Sequence, residues 1–176
     1  MKLLILELDD TIVELKQPDS RKPRKRMVNV DGEWTYTNDS ASTKPDVVVP
    51  DNVYEKLHYY KKNDWHIIVC TNQPLVAQGK RTIDQVNGMF FTANYLLGEI
   101  LDGLVICPHA PDATVEPYRI ECKCRKPQVG MVTLALGRLG SSLEQLEDCI
   151  VVGPNTEDLE LAIALNARYR DPKEFF

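Results

Sequence analysis

The chain has 176 residues, 43% hydrophobic and 27% charged, with 21 Lys and Arg against 26 Asp and Glu for a net charge of −5. That length fits one domain with a core large enough to fold without disulfides, and the acidic balance excludes a globally basic nucleic-acid binder while leaving room for a local basic patch. The first apolar run, Leu3–Leu6, is like every other in the chain far short of the roughly 20 residues of a membrane span, and acids rather than a small-residue cleavage site follow it. The expectation is a cytoplasmic protein without a membrane partner.

In chain order, Leu3–Leu8 predicts a first buried strand. The stretch from Glu14 to Pro50 is too long for a plain connection and reads as an insert. Within it, alternating residues from Met27 to Tyr36 surround Asp31-Gly32, which predicts a hairpin flap. Val53, Leu57 and Tyr60 predict a helix, Ile67–Cys70 a strand, and Ile83, Val86, Phe90 and Leu97 a second helix. Leu104–Cys107 predicts a strand, and the polar segment Pro108–Glu121 leads on to a basic sequence. Met131, Leu134, Ala135 and Leu139 predict a helix ended by Gly140. Ile150–Val152 predicts a strand, and Leu159, Ala162, Ile163 and Asn166 a last helix. Continuous apolar strands alternating with helices specify a doubly wound α/β fold with a central parallel sheet, in one domain over 1–176 and without internal repeats.

Five cysteines, an odd number, fit a reduced compartment better than a disulfide framework. Cys70 and Cys149 lie in apolar runs and read as small core residues. Cys107-x-His109 and Cys122-x-Cys124 instead supply four soft or borderline ligands, the set of a closed tetrahedral zinc site. The alternative is reduced surface thiols beside an unrelated histidine.

The carboxyl ends of parallel strands form the ligand crevice of such a sheet. Here they carry Glu7-Leu8-Asp9-Asp10-Thr11, Thr71-Asn72-Gln73 and Gly153-Pro154-Asn155-Thr156-Glu157-Asp158, and Arg125-Lys126-Pro127 precedes the third helix. Each piece alone is ordinary turn or surface chemistry. Together, carboxylates beside a lysine suit a site that holds a phosphate and a divalent metal.

With these motifs, and with Cys107-Pro-His109 and Cys122-Lys-Cys124 before Arg125, the sequence resembles the haloacid dehalogenase (HAD) superfamily of phosphohydrolases over nearly its whole length. It is most similar to the heptose-bisphosphate and histidinol phosphatase branch, and polynucleotide 3′-phosphatases share the Thr-Asn-Gln sequence. The resemblance implies a HAD-like three-layer sandwich with a flap at 14–50 and a zinc loop at 107–124. It implies a nucleophilic carboxylate at Glu7, an acid and base at Asp9, phosphate held by Thr71 and Lys126, and further phosphate or substrate contacts from Thr11, Asn72 and Arg125. It also implies structural Zn²⁺ on Cys107, His109, Cys122 and Cys124, and Mg²⁺ on Glu7, Asp9 and Asp158. The substrate would be a phosphomonoester: a sugar phosphate, a small metabolite phosphate or a nucleic-acid end.

Two positions depart from the family pattern. Glu7 stands where the family has aspartate, and Pro154 where it has the first acid of the fourth motif. The extra methylene of Glu7 moves its oxygen by about 1 Å, a displacement that can cost on the order of 100-fold in rate. Proline offers no side-chain oxygen, so the Mg²⁺ site is weakened. An active phosphatase and a silent protein that binds a phosphorylated ligand, nucleic acid or protein partner therefore both remain open. Arg21-Lys-Pro-Arg-Lys-Arg26 beside Trp34 and Tyr36 could contact a nucleic-acid backbone, or be a solvated loop whose aromatics pack the hairpin. His58 and His66 receive no role.

Overall fold

The computed structural model describes residues 1–16, 24–30, 33–39 and 46–176, with side chains described for 1–16 and 47–176. Its centre is a five-stranded, wholly parallel sheet built from β1 (Lys2–Leu6), β6 (Trp65–Asn72), β7 (Gly103–Cys107), β8 (Asp148–Val152) and β9 (Arg168–Arg170). The spatial order is β7-β6-β1-β8-β9, so the chain reverses its direction of travel beside β1. At such a switch point the crossovers leave on opposite faces and open a crevice at the strands' carboxyl ends.

The period-2 geometry of strands explains why these runs are apolar throughout. Leu4, Leu6, Ile67, Val69, Ile150 and Val152 face one layer, formed by α1 (Asp51–Lys62), α3 (Ile83–Leu96) and the short terminal helix α6 (Pro172–Phe175). Leu3, Ile5, Ile68, Cys70, Val105, Cys149 and Val151 face the other, formed by α4 (Gly130–Arg138) and α5 (Thr156–Ala164). Cys70 and Cys149 are thus core residues, and burial pushes each thiol up to about 12. Thr82 caps α3, accepting from Gln85 N at 3.1 Å while Thr82 N donates to Gln85 Oε1 at 2.8 Å.

The insert leaves and rejoins the body through a two-stranded antiparallel stem, β2 (Glu14–Lys16) with β5 (Asp46–Val48). Beyond the stem, β3 (Arg24–Val30) and β4 (Glu33–Asp39) pair in the antiparallel register that the alternation predicts, and β3 runs alongside α3. The Asp31-Gly32 turn and Arg21–Pro23 lie outside the described residues, as do the side chains of Arg24–Arg26, Trp34 and Tyr36. β9, with the sequence Arg-Tyr-Arg, carries no apolar run that would announce it; it is an edge strand with an exposed, half-buried, exposed pattern. The four-residue helix α2 (Pro74–Ala77) opens the segment that follows β6.

Candidate active site

Glu7 sits one residue past β1, where its backbone N–H donates to the Val152 carbonyl at 2.9 Å and so extends the pairing with β8. Its carboxylate turns inward and is 4% exposed. Oε1 accepts from Leu8 N at 2.9 Å and from the Thr71 hydroxyl, and Oε2 accepts from Lys126 Nζ. The same ammonium donates to Asp158 Oδ1, while Asp158 Oδ2 accepts from Asn155 N at 3.1 Å in the first turn of α5. Glu7, Lys126 and Asp158 thus form a buried acid-base-acid triad assembled from three distant parts of the chain.

The electrostatics follow from that enclosure. Burial pushes the Glu7 carboxyl up, and the attraction of Lys126 only partly offsets it, so its value stays raised. For Lys126 burial works against the charge, but the two carboxylates outweigh it and hold the ammonium above the ordinary lysine value. Removing the cation would leave two buried acids without their shared partner.

A second network lies nearer the solvent. Gln73 Nε2 donates to Thr71 Oγ1 at 2.8 Å and to Asp9 Oδ2 at 2.7 Å, tying the triad to Asp9. Arg81 NH1 donates to both Asp9 oxygens at 3.0 and 3.1 Å and to Gln73 Oε1 at 2.8 Å. Gln73 had a sequence signal, since it continues Thr71-Asn72 at the strand end. Arg81 had none: it lies beyond α2, eight residues after Gln73, and only the folded chain brings it back.

The remaining expected residues have specific tasks. Asn72 spends its amide on the Lys126 backbone, accepting from Lys126 N at 3.0 Å and donating to Lys126 O at 3.2 Å. Thr11 is buried in the turn after β1, its hydroxyl 3.5 Å from the Asp9 carbonyl. Arg125 NH1 donates to the His109 carbonyl at 3.1 Å, which directs this guanidinium to the cysteine loop.

In that loop the ligand atoms of Cys107, His109, Cys122 and Cys124 all lie within 4.8 Å of one another. The Cys124 sulfur is 3.2 Å from each of the other two sulfurs and from His109 Nδ1, and the Cys107 and Cys122 sulfurs are 3.6 Å apart. Zn–S bonds of about 2.3 Å place tetrahedral ligands just under about 4 Å apart, so the donor set and its spacing suit zinc. Four protein donors fill such a shell. Burial raises the Cys107 thiol, whereas at Cys122 hydrogen bonds from Cys124 and Arg125 N outweigh burial and lower it.

The acids do not make a comparable Mg²⁺ cluster. Among the described residues the cysteine and histidine set is the one group of three or more such ligands close enough to share an ion. Glu7 and Asp158 are joined through Lys126, Asp9 is engaged by Arg81 and Gln73, and Pro154 contributes no donor. As they stand, these side chains do not fit the near-octahedral oxygen shell of Mg²⁺.

The chain matches the family model for polynucleotide kinase 3 phosphatase over residues 2–176. It is similar to D-glycero-beta-D-manno-heptose-1,7-bisphosphate 7-phosphatase of Photorhabdus laumondii, 31% identical over 142 residues covering 79% of this chain and 71% of that protein. The Escherichia coli K12 protein of the same name is 34% identical over 119 residues, 66% of this chain, and the match spans 61% of its length. The solved structure of D,D-heptose 1,7-bisphosphate phosphatase from B. bronchiseptica, complexed with magnesium and phosphate, superposes with a TM-score of 0.62 at 21% identity, over 96% of this chain and 79% of that one. That likeness shows a shared fold. No helix among the described residues is long and apolar enough to cross a membrane.

Proposed function

The chain belongs to the polynucleotide kinase 3 phosphatase family of HAD-like phosphatases, and from that premise we propose that it is a phosphomonoesterase acting on a sugar phosphate, with Glu7 at the nucleophile position. The observation that carries the reading is the convergence of Glu7, Thr71 and Lys126 at one end of the sheet, linked through Gln73 to Asp9. In this reading Thr71 and Lys126 bind and orient phosphate oxygens. A Glu7 oxygen attacks phosphorus as the ester P–O bond breaks, and Asp9 gives its proton to the departing oxygen. Asp9 then takes a proton from the water that cleaves the acyl phosphate and restores Glu7. The heptose-bisphosphatase relatives support a sugar phosphate, and the family's description makes a nucleic-acid 3′-phosphate the competitor.

Cys107, His109, Cys122 and Cys124 would hold one structural zinc, which fixes the loop before Lys126 and leaves no open position for substrate. The insert carrying β3 and β4 would act as the flap that selects substrate.

A second reading, phosphate-ligand binding without turnover, is favoured by one observation: both Glu7 oxygens are already occupied by Leu8, Thr71 and Lys126. A panel of sugar phosphates and 3′-phosphorylated oligonucleotides assayed with wild type, Glu7→Ala and Glu7→Asp separates them. Hydrolysis by wild type that Glu7→Ala abolishes supports the enzyme; inert wild type, with activity only in Glu7→Asp, supports the binding protein.

A further inference from the structure

We propose that the phosphoryl site of this chain uses protein cations in place of Mg²⁺, with Lys126 and Arg81 together facing the phosphate. The inference rests on the phosphoryl-site reading above and specifies the charges of that same site.

Three observations carry it. First, the acids that a divalent ion would need already have cationic partners: Lys126 lies between Glu7 and Asp158, and Arg81 lies on Asp9. A metal between Glu7 and Asp158 would have to displace the ammonium of a lysine whose side chain is only 2% exposed. Second, neither Pro154 nor Asp158 of the fourth-motif turn has a free carboxylate oxygen to offer. Position 154 is proline, and the Asp158 carboxylate is seated so closely on Gly153 that a Cβ there would lie 2.3 Å from it. With Oδ1 on Lys126 and Oδ2 on Asn155 N, both Asp158 oxygens are committed.

Third, both cations keep donors for an anion. Lys126 Nζ has three N–H groups and directs two of them at Glu7 and Asp158. Arg81 donates through NH1, while its Nε and NH2 have no hydrogen-bond partner among the described residues. Its side chain is 12% exposed, so the guanidinium edge is held at the mouth of the crevice beside Asp9. A planar guanidinium fork and an ammonium are the two side-chain groups best suited to phosphate oxygens.

The test uses protein with its zinc retained, in metal-depleted buffer rather than chelator. Inorganic phosphate is titrated calorimetrically with and without added Mg²⁺, and Mg²⁺ is titrated alone. The expected result is a phosphate affinity that Mg²⁺ changes by less than about twofold, with no saturable Mg²⁺ isotherm. Arg81→Gln should weaken phosphate by about tenfold, and Arg81→Lys should recover part of that loss because it restores charge without the fork. A tenfold or greater tightening by Mg²⁺, saturable Mg²⁺ binding that Glu7→Gln removes, or unchanged phosphate affinity in Arg81→Gln would each overturn the inference while leaving the phosphoryl site standing. Absence of phosphate binding with and without Mg²⁺ would instead overturn the phosphoryl-site reading itself.

Discussion

Asn72 grips Lys126 by its peptide, accepting from the Lys126 N–H at 3.0 Å and donating to the Lys126 carbonyl at 3.2 Å across 54 residues of sequence. This contact aims the ammonium: with the backbone fixed to the end of β6, the lysine side chain extends between Glu7, just past β1, and Asp158 on α5. The amide is thus a positioning group for the cation.

Asn72→Ala removes both arms of that clamp and leaves the Lys126 backbone groups without their partner. The expected cost is about 1–3 kcal/mol in urea denaturation, with a matching loss of phosphate affinity. Unchanged stability and affinity would show that the loop from Cys124 to Pro127 holds Lys126 in place without Asn72.

Glu7 gives a pH-dependent difference of defined sign. Its folded value is raised above the ordinary 4.5, so the folded chain holds this proton more tightly than the unfolded chain does. The stability it contributes is complete below pH 4.5 and is lost as pH rises through the raised folded value. Glu7→Gln cannot lose that proton. The stability of Glu7→Gln relative to wild type should therefore grow as pH rises above 4.5, read from paired urea midpoints over a pH series. Parallel pH profiles for the two proteins would contradict the assignment.

The protein should purify with about one zinc per chain. A chelator should then expose Cys107, Cys122 and Cys124 to a thiol reagent, while Cys70 and Cys149, buried and pushed up to about 12, stay unreactive at neutral pH until the chain unfolds. A metal present at a thousandfold over its Kd contributes about 4 kcal/mol, so the zinc-free protein should melt at a clearly lower temperature. Metal analysis without zinc, together with three freely titrating thiols in the protein as purified, would refute the site.

Two glycines test how tightly the site is enclosed. A Cβ at Gly130 would lie 2.2 Å from the Lys123 carbonyl oxygen, a backbone atom that cannot step aside without moving the cysteine loop. At Gly153 it would meet the Asp158 carboxylate at 2.3 Å. Each alanine substitution should cost about 1–3 kcal/mol in thermal or urea unfolding, as overpacking does. Gly137→Ala, where a Cβ meets nothing within 4 Å in the last turn of α4, is the control and should be neutral or mildly stabilising.

Much of the fold was legible because burial on both faces forces a continuous apolar run, which marked β1, β6, β7 and β8 in the sequence. β9 was not legible, since an exposed edge strand needs no such run. The site divides the same way. Glu7, Thr71 and Lys126 were findable because strand ends and a Lys-Pro step follow a recognisable order, whereas Arg81 stands after Gly79-Lys80 with nothing local to distinguish it from a surface arginine.

The sequence by itself determined the parallel sheet, the crevice at its carboxyl ends, the cysteine and histidine ligand set and the odd length of the acid at position 7. The first three follow from periodicity, residue chemistry and short spacings, and the last from the resemblance to the family's motif. Only the tertiary structure decided what the acids do with their charge. Pairing across 119 residues between Lys126 and Glu7, or 72 between Arg81 and Asp9, leaves no periodic trace, because a long side chain meets its partner by the packing of separate elements rather than by spacing along one of them.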